Sequence, residues 1–195
     1  MKGNPLHNLS PAKARLVFFA LFTVVLTWGM AAGHVVLESY AWLSPQSQYL
    51  NNILANFAAY QPLLLDQGFT LSNLSYTLIV ILSCLPVLLS ALELFMIGLF
   101  FLRLSKGEIW SNRNTDVLLI AGILSAISPM AYSVVETLQS LAISVSLPKG
   151  ERIFVYYVGM SFDAAYDIIK GVILISLSLI IKESKNIKDE QDLYI

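Results

Sequence analysis

Four long apolar stretches constrain the fold of this chain more than any other feature. They run over about residues 16–36, 74–102, 117–147 and 153–181. Each is long enough to cross a bilayer, because a transmembrane helix needs about 20 predominantly apolar residues. The sequence therefore predicts an all-α integral membrane protein, a bundle of four transmembrane helices that forms a single domain over residues 1–195.

The composition agrees with a membrane protein and argues against several other classes. Hydrophobic residues make up 56% of the chain and charged residues only 13%, whereas an ordinary soluble domain has about 25% charged residues. The net charge of −1 argues against direct nucleic-acid binding. One cysteine and two histidines are too few for a zinc site or a histidine-based metal site. No catalytic or cofactor-binding motif is present, so we predict a non-enzymatic protein without cofactor or metal.

Basic residues are divided unequally between the two sides of the predicted membrane. The N-terminus, the loop over residues 103–116 and the tail over residues 182–195 hold nine of the 12 Lys and Arg residues. The loop between the third and fourth spans holds only Lys149 and Arg152, and Lys170 lies inside the fourth span. By the positive-inside rule, both termini, this loop and the tail are cytoplasmic.

The outer loop over residues 38–73 contains a further helical pattern. Leu50, Leu54 and Phe57 recur at helical spacing, and Pro62 marks the end of the pattern. We predict an amphipathic helix that lies at the outer membrane interface. Two roles stay open for it: a cap on the bundle, or a lid or partner-binding surface.

Charged residues inside the predicted spans are the main candidates for function. They are Glu93, Glu136, Asp163, Asp167 and Lys170. The last three are spaced four and three residues apart and form one stripe on a helix. A charge at the bilayer centre costs at least about 2.5–3.5 kcal/mol on insertion scales, so such residues usually face the bundle interior and have a partner.

Depth along the spans, estimated at about 1.5 Å per residue, indicates which charges meet. Glu93 and Lys170 fall at similar depths on the cytoplasmic side, which predicts an ion pair. Glu136 and Asp163 fall at similar depths on the outer side, which predicts a like-charge pair that shares a proton. The candidate additions to that pair, at the outer end of the first span, are His34 and Glu38.

Two explanations of these charges stay open. In the first, they are structural contacts that fix the rotation of the helices, each contributing only about 0.6 kcal/mol. In the second, they form a proton or ion relay, or line a polar ligand cavity. The segments 86–93 and 129–136 share the pattern Pro-x3-Ser-x2-Glu on helices of opposite direction, an arrangement known from the inverted halves of transporters.

The cytoplasmic loop and the tail carry two further motifs. The loop and the start of the third span read "SKGEIWSNRNTDVLLIAGIL", and the tail ends in "KDEQDLYI". Both are similar to a family of small bacterial integral membrane proteins that is grouped as a domain of unknown function. The resemblance implies four spans and a bacterial inner-membrane location. Because members are often encoded beside helix-turn-helix regulators, it also implies a regulatory partner.

The sequence thus favours a non-enzymatic bacterial inner-membrane protein that acts as a regulatory or partner-binding subunit. Its expected partners are the lipid bilayer and either another protein or further copies of itself. The alternative is a small proton-coupled transporter or channel subunit that uses the intramembrane carboxylates. The candidate partner surface on the cytoplasmic loop consists of Lys106, Glu108, Trp110 and Arg113.

Overall fold

The computed structural model describes residues 10–44, 48–108, 111–157 and 162–192. The α-helices in these residues are α1 (Pro11–Leu43), α2 (Tyr49–Ala58), α3 (Asn73–Ser105), α4 (Asn112–Ser144) and α5 (Phe162–Asp192), and a short 3-10 helix covers Pro62–Leu65. Helices α1, α3, α4 and α5 are long and apolar enough to cross a membrane. The predicted all-α fold with four transmembrane helices is therefore confirmed. We call the end that carries α2 the outer end, following the predicted orientation.

Helices α1, α3 and α4 begin before the apolar stretches that predict them. Helices α1, α3 and α4 each have 33 residues, a length of about 50 Å at 1.5 Å per residue, against about 30 Å for the hydrocarbon core. Their first turns are fixed by Ser10, Ser72 and Ser111, whose side chains each accept a hydrogen bond from the backbone N–H three residues later. These N-caps lie outside the apolar runs, so hydropathy alone places the helix starts too late.

The four long helices pack in a row in the order α1, α3, α4, α5, and each helix contacts the next one in the row. Small residues let α4 and α5 approach closely, because a Cβ on Gly171 would lie 2.7 Å from the Ala126 backbone nitrogen. Helix α1 is held to α3 by Trp28, whose ring stacks on Phe95 at 5.4 Å between centroids. The same indole donates a hydrogen bond to the Phe95 carbonyl at 3.2 Å.

The amphipathic helix α2 closes the outer end of the bundle. Its buried residues Leu54 and Phe57 pack in one core with Ile79 of α3 and Ile143 of α4. Leu64 of the following 3-10 helix joins the same core. The sequence leaves two roles open for this helix, a cap, or a lid or partner-binding surface. Its apolar face packs on α3 and α4, as expected for a cap on the bundle.

The fourth span begins later than the sequence predicts. Residues 151–157 are not helical, and α5 starts at Phe162 rather than near residue 153 and continues to Asp192. The start predicted at residue 153 is therefore wrong. The physical reason is that the run Ile-Phe-Val-Tyr-Tyr at 153–157 is rich in β-branched and aromatic residues, which favour extended backbone.

Candidate functional site

Lys170 is the centre of an ion-pair group that joins α3 to α5. Its Nζ lies 3.0 Å from Glu93 Oε1 on α3 and 2.8 Å from Asp167 Oδ1 one turn earlier on α5. The Glu93 side chain is only 6% exposed, whereas the Lys170 side chain is 34% exposed. The structure thus brings together the two residues that the depth estimate paired, and Asp167 is the second acceptor, as its spacing of three residues from Lys170 on the predicted helix also indicates.

Three carboxylates line one cavity between α4 and α5. The cavity has a volume of about 430 Å³. Its lining consists of Glu136, Asp163, Asp167, Pro129, Tyr132, Ser133 and Ala164. Glu136 and Asp163 are exposed on the chain. The sequence predicts a direct contact between Glu136 and Asp163. Among the described residues no hydrogen bond joins these two side chains, and they line the same cavity without that contact. The cavity and the ion-pair group meet at Asp167.

The balance of charge within the apolar stretches of the sequence is negative. Glu93, Glu136, Asp163 and Asp167 face a single cation, Lys170. That cation contacts only two of the four carboxylates. The described residues contain no group of three or more His, Cys, Asp or Glu side chains that could hold a metal ion.

The outer residues of α1 belong to a different group. Glu38 accepts a hydrogen bond of 3.0 Å from Trp42 Nε1, and it also interacts with Tyr49 of α2. Burial and the neighbouring Glu38 carboxylate raise the pKa of Tyr49 to about 12, so its hydroxyl stays protonated at physiological pH. His34 is exposed on α1. Neither His34 nor Glu38 lines the carboxylate cavity, so the structure does not add them to the outer acidic pair.

The loop between α3 and α4, predicted to be cytoplasmic, exposes the described polar residues of the candidate partner surface. Lys106, Glu108 and Arg113 are all exposed, and Gly107 turns the chain after α3 with a φ of 85°. Trp110, the fourth residue of the candidate partner surface, lies outside the described residues. The loop therefore offers an accessible polar surface at the end of the bundle opposite α2.

A row of hydroxyl groups on α4 holds the 151–157 segment. The hydroxyl of Ser140 accepts from the Val155 N–H at 3.1 Å. It donates to the Thr137 carbonyl of its own helix at 2.7 Å, with the Val155 carbonyl as a more distant acceptor at 3.4 Å. The Ser144 hydroxyl pairs with both backbone groups of Ile153, and Thr137 accepts from the Tyr157 N–H at 3.2 Å. Alternate residues of an extended backbone thus pair with hydroxyls one helical turn apart. The sequence analysis missed this contact, although the spacing Thr-x2-Ser-x3-Ser was a usable signal.

Buried polar contacts also fix how the helices face one another. Gln139 of α4 donates to the Ser83 hydroxyl of α3 at 2.9 Å. Ser125 of α4 donates to the Asp167 carbonyl of α5 at 3.0 Å. Such contacts are individually modest, but each is satisfied only when its two helices have one rotation and one height. They hold the carboxylate cavity at the α4–α5 interface.

Comparison of the chain with protein-family models, with curated proteins and with solved structures gave no match. The geometry of the site is therefore the basis for the function proposed below.

Proposed function

We propose that the chain is a non-enzymatic, partner-binding subunit of a bacterial inner membrane, and that the partner covers the outer half of the α4–α5 face. One observation carries this proposal: Glu136 and Asp163 lie on transmembrane helices and are exposed on the single chain. Because an ionised carboxylate facing lipid is costly, a membrane partner that covers both side chains stabilises the assembly. The resemblance to four-span bacterial membrane proteins supports the location, and the exposed cytoplasmic loop offers a second contact surface.

The chemistry of the face indicates the kind of partner. A symmetric contact of two copies through this face would place the same patch on both sides and bring four carboxylates together. A transmembrane helix with a Lys or Arg in its outer half would instead neutralise Glu136 and Asp163. The proposed partner is therefore a different protein with a basic residue at this depth, and its role is regulatory.

The test is site-specific photo-crosslinking in native membranes. A photoreactive phenylalanine analogue at Tyr132, which is 49% exposed and lines the carboxylate cavity, should give a protein adduct of one discrete mass. The adduct should disappear in the Glu136→Gln/Asp163→Asn variant. The matched control is the same analogue at Phe22 of α1, which is 52% exposed and far along the row of helices from the cavity. No adduct, or an adduct unaffected by the carboxylate substitutions, would contradict the proposal.

A second candidate function is proton-coupled transport, which the carboxylate-lined cavity of about 430 Å³ favours. Its prediction differs from that of the first. Purified chain in liposomes would carry a proton-dependent flux that Asp163→Asn abolishes without lowering thermal stability. If no such flux is found and a discrete protein adduct forms at position 132, the result supports the partner-binding function and contradicts transport.

A further inference from the structure

A groove runs along one side of α4, between that helix and the 151–157 segment. Two cavities follow each other along it. The inner cavity, of about 450 Å³, has Val134 on one wall and Tyr156 on the other. The outer cavity, of about 470 Å³, has Val145 on one wall and Arg152 on the other. The inner cavity adjoins the carboxylate cavity that the proposed function uses and shares two lining residues of α4 and one of α5 with it, whereas the outer cavity shares none.

The length and direction of the groove match one leaflet of a bilayer. Along α4 it extends from Pro129 to Val145, about 24 Å at 1.5 Å per residue. Half of a bilayer with its headgroups measures roughly 20–22 Å. Because α4 crosses the membrane, a groove along its surface runs parallel to lipid acyl chains. The groove starts near the middle of the helix and opens at the outer end.

The walls of the groove are apolar and exposed. Met130, Val134 and Val145 have exposed fractions of 63%, 56% and 51%. A comparable apolar groove of about 300 Å³ lies between α3 and α4, with Ile81 in its wall, and no charged residue lines it. The groove beside the 151–157 segment differs from it in having Arg152 at the outer mouth.

The outer mouth is positively charged. Arg152 and Lys149 are both exposed, and neither forms an ion pair within the described ranges. The neighbouring Glu151 keeps its charge but, in the described part of the chain, forms no salt bridge with Arg152, and its carboxylate accepts a hydrogen bond of 2.8 Å from Gln61 Nε2 on the α2 side. Lys149 and Arg152 still leave the mouth with an excess of positive charge. Adjacent residues of an extended segment point to opposite faces, so Arg152 faces the groove while Glu151 faces the cap.

We propose that this groove binds one anionic phospholipid of the outer leaflet, with an acyl chain along α4 and its phosphate at Arg152. A guanidinium binds phosphate through two parallel hydrogen bonds, and Lys149 adds a second positive charge at headgroup level. A cationic amphiphile would place its charge beside Arg152. An uncharged transmembrane helix would fill the apolar walls and leave Arg152 unpaired. An anionic lipid packs its acyl chain against the apolar walls and pairs its phosphate with Arg152 at the mouth.

The test measures lipid retention and thermal stability of the full-length chain purified in detergent. Phosphatidylglycerol and phosphatidylcholine with identical acyl chains are added back in turn. Native mass spectrometry should show one retained phosphatidylglycerol per chain, and phosphatidylglycerol should raise Tm more than phosphatidylcholine does. Arg152→Gln should weaken retention about tenfold, the loss expected for a hydrogen bond to a charged group, and Arg152→Lys should restore part of it. Arg113→Gln, an exposed basic residue at the other end of the bundle, is the charge control.

A steric variant tests the acyl-chain part of the groove. Val134→Trp fills the inner cavity and should reduce retention of phosphatidylglycerol, whereas Ile81→Trp, which fills the uncharged groove between α3 and α4, should not. Both positions are exposed, so both variants should keep the lipid-free Tm, and Met130→Trp replaces Val134→Trp if that variant unfolds. Equal effects of the two lipids would overturn the proposal. So would equal losses in Arg113→Gln and Arg152→Gln, or unchanged retention in the groove-filling variant.

Discussion

At the residue scale, the intramembrane charges depend on Lys170, the one cation within the transmembrane stretches. It contacts Glu93 at 3.0 Å and Asp167 at 2.8 Å. Because Glu93 is nearly buried, losing Lys170 leaves a carboxylate in an apolar environment without a counter-charge. Removing one member of such a pair costs more than removing both.

Lys170→Met should therefore lower the free energy of unfolding by about 2–4 kcal/mol. Breaking a fully buried pair costs about 3–5 kcal/mol, and the smaller value is expected because the Lys170 side chain is 34% exposed. Lys170→Met combined with Glu93→Gln should recover part of that loss, since the nearly buried carboxylate is then gone and only the more exposed Asp167 remains beside Met. Thermal unfolding in detergent measures both variants and the Glu93→Gln single variant. A double variant no more stable than the sum of the single effects would contradict the contact.

The pairing of Glu93 with Lys170 could be predicted from the sequence because both residues lie on continuous helices, where depth follows from residue count. Glu38 could not be placed in the same way. Its partner Trp42 lies one turn later on α1, whereas Tyr49 belongs to α2. A residue count along α1 does not give the position of α2. Depth estimates thus succeed within helices and fail at their ends.

At the scale of elements, the α4–α5 contact depends on two glycines. A Cβ on Gly122 would lie 2.8 Å from the Gly171 carbonyl oxygen, and one on Gly171 would lie 2.7 Å from the Gly122 carbonyl oxygen. These neighbours are backbone atoms, so they cannot move aside without moving a helix. The close approach in turn holds Ser125 at the Asp167 carbonyl and so positions Asp167 in the cavity.

Gly171→Ala should separate α4 from α5 and cost about 1–3 kcal/mol, as overpacking does. The control is Gly29→Ala on α1, where nothing lies within 4 Å of an added Cβ. That change should leave stability the same or raise it by up to about 1 kcal/mol through helix propensity. Thermal unfolding of both variants in one detergent provides the comparison, and equal effects would refute the close α4–α5 contact.

The hydroxyl row on α4 gives a second prediction for an element. Ser140→Ala leaves the Val155 N–H without its acceptor in a buried site and should cost about 1–3 kcal/mol. Hydrogen exchange of a peptide that covers residues 153–157 should accelerate. Ser176→Ala, which removes only an exposed hydroxyl bonded to its own helix, should leave that exchange unchanged. Unaltered exchange in Ser140→Ala would argue against the hydroxyl row.

The 151–157 segment shows why the start of the fourth span could not be read from hydropathy. Its residues are apolar enough to continue a membrane helix, and apolarity does not distinguish helix from extended backbone. The distinction comes from α4, where Thr137, Ser140 and Ser144 supply hydrogen-bond partners to alternate residues. A tertiary contact therefore adds to the preference of the β-branched and aromatic residues in this run for extended backbone.

At the scale of the whole molecule, the chain is a row of four helices with α2 across its outer end. Helices α1 and α5 occupy the two ends of the row. The carboxylate cavity lies at the α4–α5 end and the ion-pair group lies between α3 and α5. This asymmetry follows from the packing order, which the sequence did not reveal because four apolar helices of similar length can pack in several orders.

The orientation of the row is tested by labelling. In a Cys84→Ser background, Asn51→Cys on α2 should react with a membrane-impermeant thiol reagent in intact cells, because the loop that carries α2 is predicted to be outside. Ser184→Cys, near the end of α5, should react only after the membrane is permeabilised. Reaction at position 184 in intact cells would reverse the assigned orientation.

The central claim is that a membrane partner covers carboxylates that the single chain leaves exposed. Its most direct measurement is the modification of Glu136 and Asp163 by a hydrophobic carbodiimide, read by mass spectrometry in native membranes and in purified chain. Glu93, which is 5% exposed, is the internal control and should stay unmodified in both. The account predicts that Glu136 and Asp163 are protected in native membranes and modified in the purified chain. Equal modification in the two preparations would contradict it.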